Sequence, residues 1–257
     1  MNQDNQNNTP SKGVLTVVGA GPGDVELITL KAIKALETAD AVLYDALVNP
    51  ELLDYCKNAE LLYVGKRKGC YAYQQEQIND LIVQYGASHG KVVRLKGGDP
   101  FIFGRGAEEM EYAASKGMEV NMVPGLSSSV SVPAMQNIPV TKRGSSESFW
   151  VITATTKEHK LSNDIFLAAK SNATVVVLMG MHKLSEIVTA FKQESKESVP
   201  VAIIQNGTRN TEKVGIGTID SIEAIVKEKE LSSPAIIVIG DVVKHRGQLL
   251  ELKQEFL

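Results

Sequence analysis

The sequence predicts an α/β protein built as two α/β domains, the first around a parallel sheet. Three observations predict it. Through the first half of the 257-residue chain, short β-branched runs alternate with stretches of helical period. Unusual loops recur at the carboxyl ends of those runs, where open α/β sheets bind ligands. After a Ser-rich interruption, further apolar runs resume at strand length, and the chain is long enough for two modest domains.

Each element follows from local pattern. Val14-Leu15-Thr16-Val17-Val18 is the first strand and ends in Gly19-Ala20-Gly21-Pro22-Gly23-Asp24. A helix follows from about Thr29, with Leu30, Ile33, Leu36 and Ala39 at helical spacing. Ala41-Val42-Leu43-Tyr44 is a second strand that delivers Asp45. Leu61-Leu62-Tyr63-Val64 is a third that delivers Gly65-Lys66-Arg67-Lys68-Gly69. Ile78, Leu81, Ile82 and Tyr85 form the apolar stripe of the next helix. Lys91-Val92-Val93 opens a fourth strand, expected to break into a loop at Arg94. A helix over 106–116 then stops at Gly117, a residue suited to a left-handed helix end. Val120-Asn121-Met122-Val123, closed by Pro124-Gly125, is the fifth strand.

The Ser-rich segment 126–148 reads as a linker with a short helix, so the expected domains are 13–125 and 149–257, preceded by a disordered polar tail over 1–12. In the second domain, strands are expected at Phe149-Trp150-Val151-Ile152, Val175-Val176-Val177-Leu178-Met179, Val199 to Ile204 and Ala235 to Ile239. Lys213-Val214-Gly215-Ile216-Gly217 is a shorter candidate, leaving room for a mixed sheet. Helices are expected near 183–194 and 219–229.

Composition excludes several classes. Hydrophobic residues make up 43% and charged residues 22%, the balance of an ordinary soluble protein. A net charge of −3 provides no global basic field for nucleic acid, so anion binding must come from local clusters. Cys56 and Cys70 form no CxxC pair, and His89, His159, His182 and His245 match no ligand spacing, so no metal site is expected. The first ten residues lack the apolar core of a signal peptide, and no apolar run approaches the roughly 20 residues of a membrane span. A cytoplasmic location is the expectation.

The most informative stretch is Arg94-Leu95-Lys96-Gly97-Gly98-Asp99-Pro100-Phe101-Ile102-Phe103-Gly104-Arg105-Gly106. Its four glycines let backbone approach a ligand closely, and Asp99 offers acceptors to hydroxyls or amines. Burying Arg94, Lys96 and Arg105 without anionic partners would be very costly, so the loop is expected to face something negatively charged. The turn at 19–24, with Asp45 ending the second strand, invites a dinucleotide reading. Asp24 stands where the third glycine of that fingerprint belongs, however, and Pro22 removes an N–H from the turn that should cradle pyrophosphate.

In one order, the chain presents the 19–24 turn, Leu43-Tyr44-Asp45-Ala46-Leu47-Val48, Gly65-Lys66-Arg67, the 94–106 motif, Val123-Pro124-Gly125, Met179-Gly180 and Asn206-Gly207-Thr208. This series resembles the tetrapyrrole methylases, over nearly the whole chain, and within them the branch that acts on uroporphyrinogen III. The resemblance implies two α/β domains with a cofactor cleft between them, usually in a homodimer. It also implies S-adenosylmethionine (SAM) as methyl donor, S-adenosylhomocysteine as product, and methylation of uroporphyrinogen III at carbons 2 and 7 to precorrin-2, for sirohaem or cobalamin.

Carried over by position, the resemblance places Pro22, Gly97, Gly98, Asp99, Ile102, Ser127, Ser128, Met179 and Gly207 at the cofactor. Asp45 matches a proton acceptor and Lys66 a proton donor. Arg105 and Glu108 match residues of substrate binding or proton abstraction, and Arg105, Lys142 and Arg143 could meet the substrate's carboxylates. Methyl transfer from a sulfonium is an in-line displacement resting mainly on positioning, and a macrocycle that attacks through a pyrrole carbon must eventually lose a proton. Departures from the family pattern fall at Tyr71, Gln74, Gln77, Lys142, Ala154 and Thr155.

Overall fold

The computed structural model describes residues 13–65 and 73–247. The chain divides into two compact units between Leu126 and Ser127. The first unit contains strands β1 (Val14–Gly19), β2 (Ala41–Tyr44), β3 (Glu60–Tyr63), β4 (Lys91–Lys96) and β5 (Glu119–Val123). Helices α1 (Leu30–Glu37), α2 (Gln75–His89) and α3 (Gly106–Ser115) connect them. The sheet order is β3-β2-β4-β1-β5 and every pairing is parallel. Parallel strands require crossovers, and the alternating sequence pattern supplies them.

Helices cover both faces of this sheet. On one, Val93 and Leu95 pack with Ala32 and Leu36 of α1. On the other, Val92 packs with Ile78 and Ile82 of α2 and Ala113 of α3. Helix α1 begins where Thr29 accepts a hydrogen bond from the Ala32 N–H at 3.2 Å. Leu30, expected on its apolar stripe, is instead 79% exposed, because Ala32, Leu36 and Ala39 form the buried face. Helix α3 ends at Gly117, whose φ of +85° is the left-handed conformation that glycine adopts without penalty. Strand β4 corrects a boundary: it continues through Arg94 and Leu95 to Lys96 rather than breaking at Arg94.

The second unit holds α4 (Ser128–Met135), β6 (Phe149–Thr153), α5 (Asn163–Lys170), β7 (Thr174–Leu178), α6 (Leu184–Lys192), β8 (Pro200–Gln205), β9 (Lys213–Thr218), α7 (Ile222–Glu228) and β10 (Ala235–Ile239). Its sheet order is β6-β7-β10-β8-β9. The sheet is mixed: β6 and β7 are parallel, whereas β10 runs antiparallel to β7 and β8, and β9 antiparallel to β8. Segment 126–148, read from the sequence as linker, does carry a short helix, and its Val132 and Ile138 are buried beneath the sheet with Ala202, Ile204 and Val238. Helix α5, capped by Ser162, has no counterpart among the sequence expectations. No helix among the described residues is long and apolar enough to cross a membrane.

Candidate active site

In the first unit, the loops after β1, β4 and β5 meet backbone to backbone. Gly98 N–H donates to Gly21 O at 2.7 Å, and Gly21 N–H donates back to Gly98 O at 3.2 Å. A Cβ on Gly19 would overlap Gly125 N and stand 2.7 Å from Gly98 O. Glycine is therefore required by close approach, in addition to the positive φ of +68° at Gly98. Asp99 clamps the arrangement, with Oδ1 accepting from Phe101 N–H at 2.8 Å and Oδ2 from Gly125 N–H at 3.1 Å. One lone-pair position on each oxygen remains for a ligand.

The turn after β2 joins the same edge. A Cβ on Gly97 would lie 2.6 Å from the Leu47 Cβ. Asp45 Oδ1 accepts from Leu47 N–H at 3.0 Å, and Asn49 Nδ2 donates to Gly23 O at 2.8 Å. Pro22, Asp45, Gly97, Gly98 and Asp99 thus come together at the carboxyl edge of the sheet. Ile102 is 41% exposed between exposed Phe101 and Phe103, and the loop turns through positive φ at Phe103 and Arg105. Such backbone conformations are uncommon for residues with side chains and concentrate at functional sites.

The structure corrects the expectation for the cations. Arg94 and Lys96 do not face an external anion; both are buried beneath α3, where the fully buried Glu109 receives them. Glu109 Oε1 accepts from Lys96 Nζ at 2.9 Å, Gln75 Nε2 at 3.1 Å and Arg94 Nε at 3.2 Å. Arg94 Nη1 also donates to Leu95 O at 3.0 Å and Leu43 O at 3.3 Å, and Nη2 lies 3.6 Å from Asp45 Oδ2. Burial, and then the neighbouring Arg94 charge, pull the Lys96 ammonium below its ordinary pKa, against the opposing pull of Glu109 and Asp45. Arg105 alone of the three stays at the surface, donating to Glu108 Oε2 from Nη2 at 2.5 Å and Nε at 3.0 Å. The Glu108 hydrogen bond holds the Arg105 pKa above its ordinary value. An exposed pair of this kind contributes at most about 1 kcal/mol, so both partners can turn to a ligand cheaply. Lys66 and Tyr71 lie outside the described residues.

In the second unit, Met179 follows β7 with a φ of +55° and is 54% exposed. An exposed methionine in a left-handed conformation is not a core residue, although the four apolar residues before it suggest one. Gly207 follows β8 between Asn206 and Thr208, both at positive φ. Glu212 pins that turn, with Oε2 accepting from Thr208 N–H at 2.8 Å and Oε1 accepting from Gln136 Nε2. Ser127 Oγ accepts from Ser129 N–H at 3.3 Å and caps α4, while Ser128 is half-buried in the first turn. Lys142 and Arg143 are exposed, and Lys142 Nζ lies 2.8 Å from His245 Nδ1.

Several departures from the family pattern have local accommodation. Gln77 Oε1 accepts from Gln74 N–H at 2.8 Å at the start of α2, Ala154 is buried, and Thr155 Oγ1 donates to Met179 O at 3.4 Å. The Glu109 cluster and the Glu212–Gln136 clasp were not anticipated. A signal for the first existed: Glu109 shares the buried face of α3 with Gly106 and Ala113, whereas Glu108 does not.

The chain belongs to the tetrapyrrole (corrin/porphyrin) methylases, whose family profile matches residues 14–223. It is 44% identical over 234 residues to the uroporphyrinogen-III C-methyltransferase of Methanocaldococcus jannaschii, covering 90% of this chain and 97% of that protein. The uroporphyrin-III C-methyl transferase of Thermus thermophilus, solved in complex with S-adenyl homocysteine, superposes with a TM-score of 0.78 at 33% identity, covering 90% of this chain and 99% of that one. A cobalt precorrin-4 methyltransferase superposes with a TM-score of 0.80 at 25% identity, covering 90% and 95% of the two chains. Backbone similarity does not separate these two activities, whereas sequence identity favours the first.

Proposed function

We propose that this protein is a SAM-dependent C-methyltransferase that methylates uroporphyrinogen III at carbons 2 and 7, giving precorrin-2 for sirohaem or cobalamin. The observation that carries the reading is the interlocked edge formed by the 94–106 motif and the turns after β1, β2 and β5, in a chain 44% identical to an enzyme of that name.

The residues present fit SAM. Asp99 keeps acceptor capacity for an ammonium, Gly97 and Gly98 expose backbone without side chains, and Ile102 and Met179 offer apolar surface. Bound SAM supplies an electrophilic methyl group on sulfur. Asp45, held by Leu47 N–H and by Arg94, accepts the proton that leaves the macrocycle after the new carbon–carbon bond forms. Lys66 is the proton donor in this reading. Arg105 meets a substrate carboxylate through its planar fork, with Glu108 releasing it, and Lys142 and Arg143 provide further cations. Ser127 keeps its capping bond while its neighbour Ser128 offers a hydroxyl. The enzyme acts as a cytoplasmic homodimer, which sedimentation and fractionation check.

Anaerobic incubation with SAM and enzymatically generated uroporphyrinogen III, followed by mass spectrometry, tests the assignment. Gain of two methyl groups is expected. A product without added methyls would refute the substrate, and methylation only of a later corrinoid would transfer the protein to the neighbouring activity.

A further inference from the structure

Four charged groups form a chain beneath α3: Lys96, Glu109, Arg94 and Asp45. Its members are two cations and two carboxylates, so the assembly balances itself without an external ion. Side-chain exposure is 6% for Lys96, 0% for Glu109, 4% for Arg94 and 24% for Asp45. Among these four, the charge chain therefore reaches solvent principally at Asp45, on the edge where the glycine loops meet. Every nitrogen of the Arg94 guanidinium is engaged, by Glu109, by the Leu43 and Leu95 carbonyls and by Asp45. A fork anchored in that way has one orientation. Asp45 is then contacted from two sides, by a hydrogen bond from Leu47 N–H on Oδ1 and by the Arg94 charge 3.6 Å from Oδ2. Lys96, at the other end of the chain, directly precedes Gly97, Gly98 and Asp99.

We infer that Arg94, locked by Glu109, is a positioning residue that sets the orientation of Asp45 for proton transfer, and so ties Asp45 to the strand bearing the methyl-donor loop. The inference rests on the reading of Asp45 as proton acceptor. Arg94 touches neither substrate nor donor; it acts through the Asp45 carboxylate. A purely structural ion cluster would show no such dependence on Asp45.

A double-mutant cycle on the full chain separates these roles. Arg94→Lys keeps the buried charge and removes the fork. It is expected to lower turnover of uroporphyrinogen III by about 10- to 100-fold, while the affinity for S-adenosylhomocysteine stays within about twofold. Asp45→Asn is expected to cost about 100-fold or more. On the Asp45→Asn background, Arg94→Lys should change turnover by less than about twofold, because the group it positions no longer accepts a proton. Equal fold-losses on both backgrounds would overturn the inference, as would a loss of S-adenosylhomocysteine affinity that tracks the loss of turnover. Full turnover by Asp45→Asn alone would overturn the acid/base reading itself, an outcome distinguishable from failure of the coupling. If Arg94→Lys does not fold, the charge-balanced pair Arg94→Met with Glu109→Gln takes its place in the same cycle, with the same expectations.

Discussion

Replacing Glu109 by glutamine removes one negative charge and little volume from a site with no solvent access. In the native protein one carboxylate oxygen accepts from Lys96, Arg94 and Gln75 at 2.9, 3.2 and 3.1 Å. The glutamine oxygen can still accept a hydrogen bond, so the loss is chiefly of charge compensation. Two buried cations are left with Asp45 alone, 3.6 Å from Arg94 and partly open to water. Breaking a buried ion pair by removing one partner costs about 3–5 kcal/mol, which for a chain of this size lowers the melting temperature by roughly 6–20 °C. Calorimetry of the purified variant measures it. The pair Arg94→Met with Glu109→Gln should recover much of the loss, because Lys96 and Asp45 then balance. A Glu109→Gln variant melting within about 2 °C of wild type, a shift worth less than about 1 kcal/mol, would refute the claim that Glu109 compensates buried charge.

Three further outcomes are expected. In Gly207→Ala the new Cβ would overlap Val132 Cγ1, so denaturant unfolding should show a loss of roughly 1–3 kcal/mol; Val132→Ala should relieve it, and no relief would place the cause in the turn itself. Met179→Ala should weaken S-adenosylhomocysteine binding in calorimetric titration and leave the melting temperature unchanged, since the side chain is exposed; lost stability with unchanged affinity would reverse the assignment. The Lys96 pKa is lower in the folded protein than its unfolded value of about 10.4. Between those two values the unfolded chain binds more protons, so this lysine makes stability rise with pH. The stability of wild type relative to Lys96→Met should therefore climb through that alkaline window, and a flat difference would show that Lys96 is not depressed.

The sequence by itself determined the features that arise within a few residues of one another. The alternation of β-branched runs with helical stripes placed the five strands of the first sheet, because side-chain period is a local property. Gly117 marked the end of α3 because glycine takes a left-handed stop without Cβ strain. The strand-end loops, and with them Asp45, Gly97, Gly98 and Asp99, could be placed on one edge because parallel strands put all their carboxyl ends together.

Tertiary structure decided the partners. Arg94 and Lys96 read as cations in search of a ligand, since their pairing with Glu109, 15 and 13 residues further along, is made only when α3 packs back over β4. Met179, which the family resemblance places at the cofactor, follows four apolar residues that by pattern alone favour a core position; the chain leaves the sheet at Leu178 and turns it outward. Segment 126–148 read as linker because serine and proline dominate it, while the burial of Val132 and Ile138 depends on strands that come tens of residues afterwards. Periodicity and turn chemistry are short-range and visible in order along the chain. Charge compensation and burial are set by distance in space, and at Asp45 that distance is what turns a strand-end carboxylate into a held one.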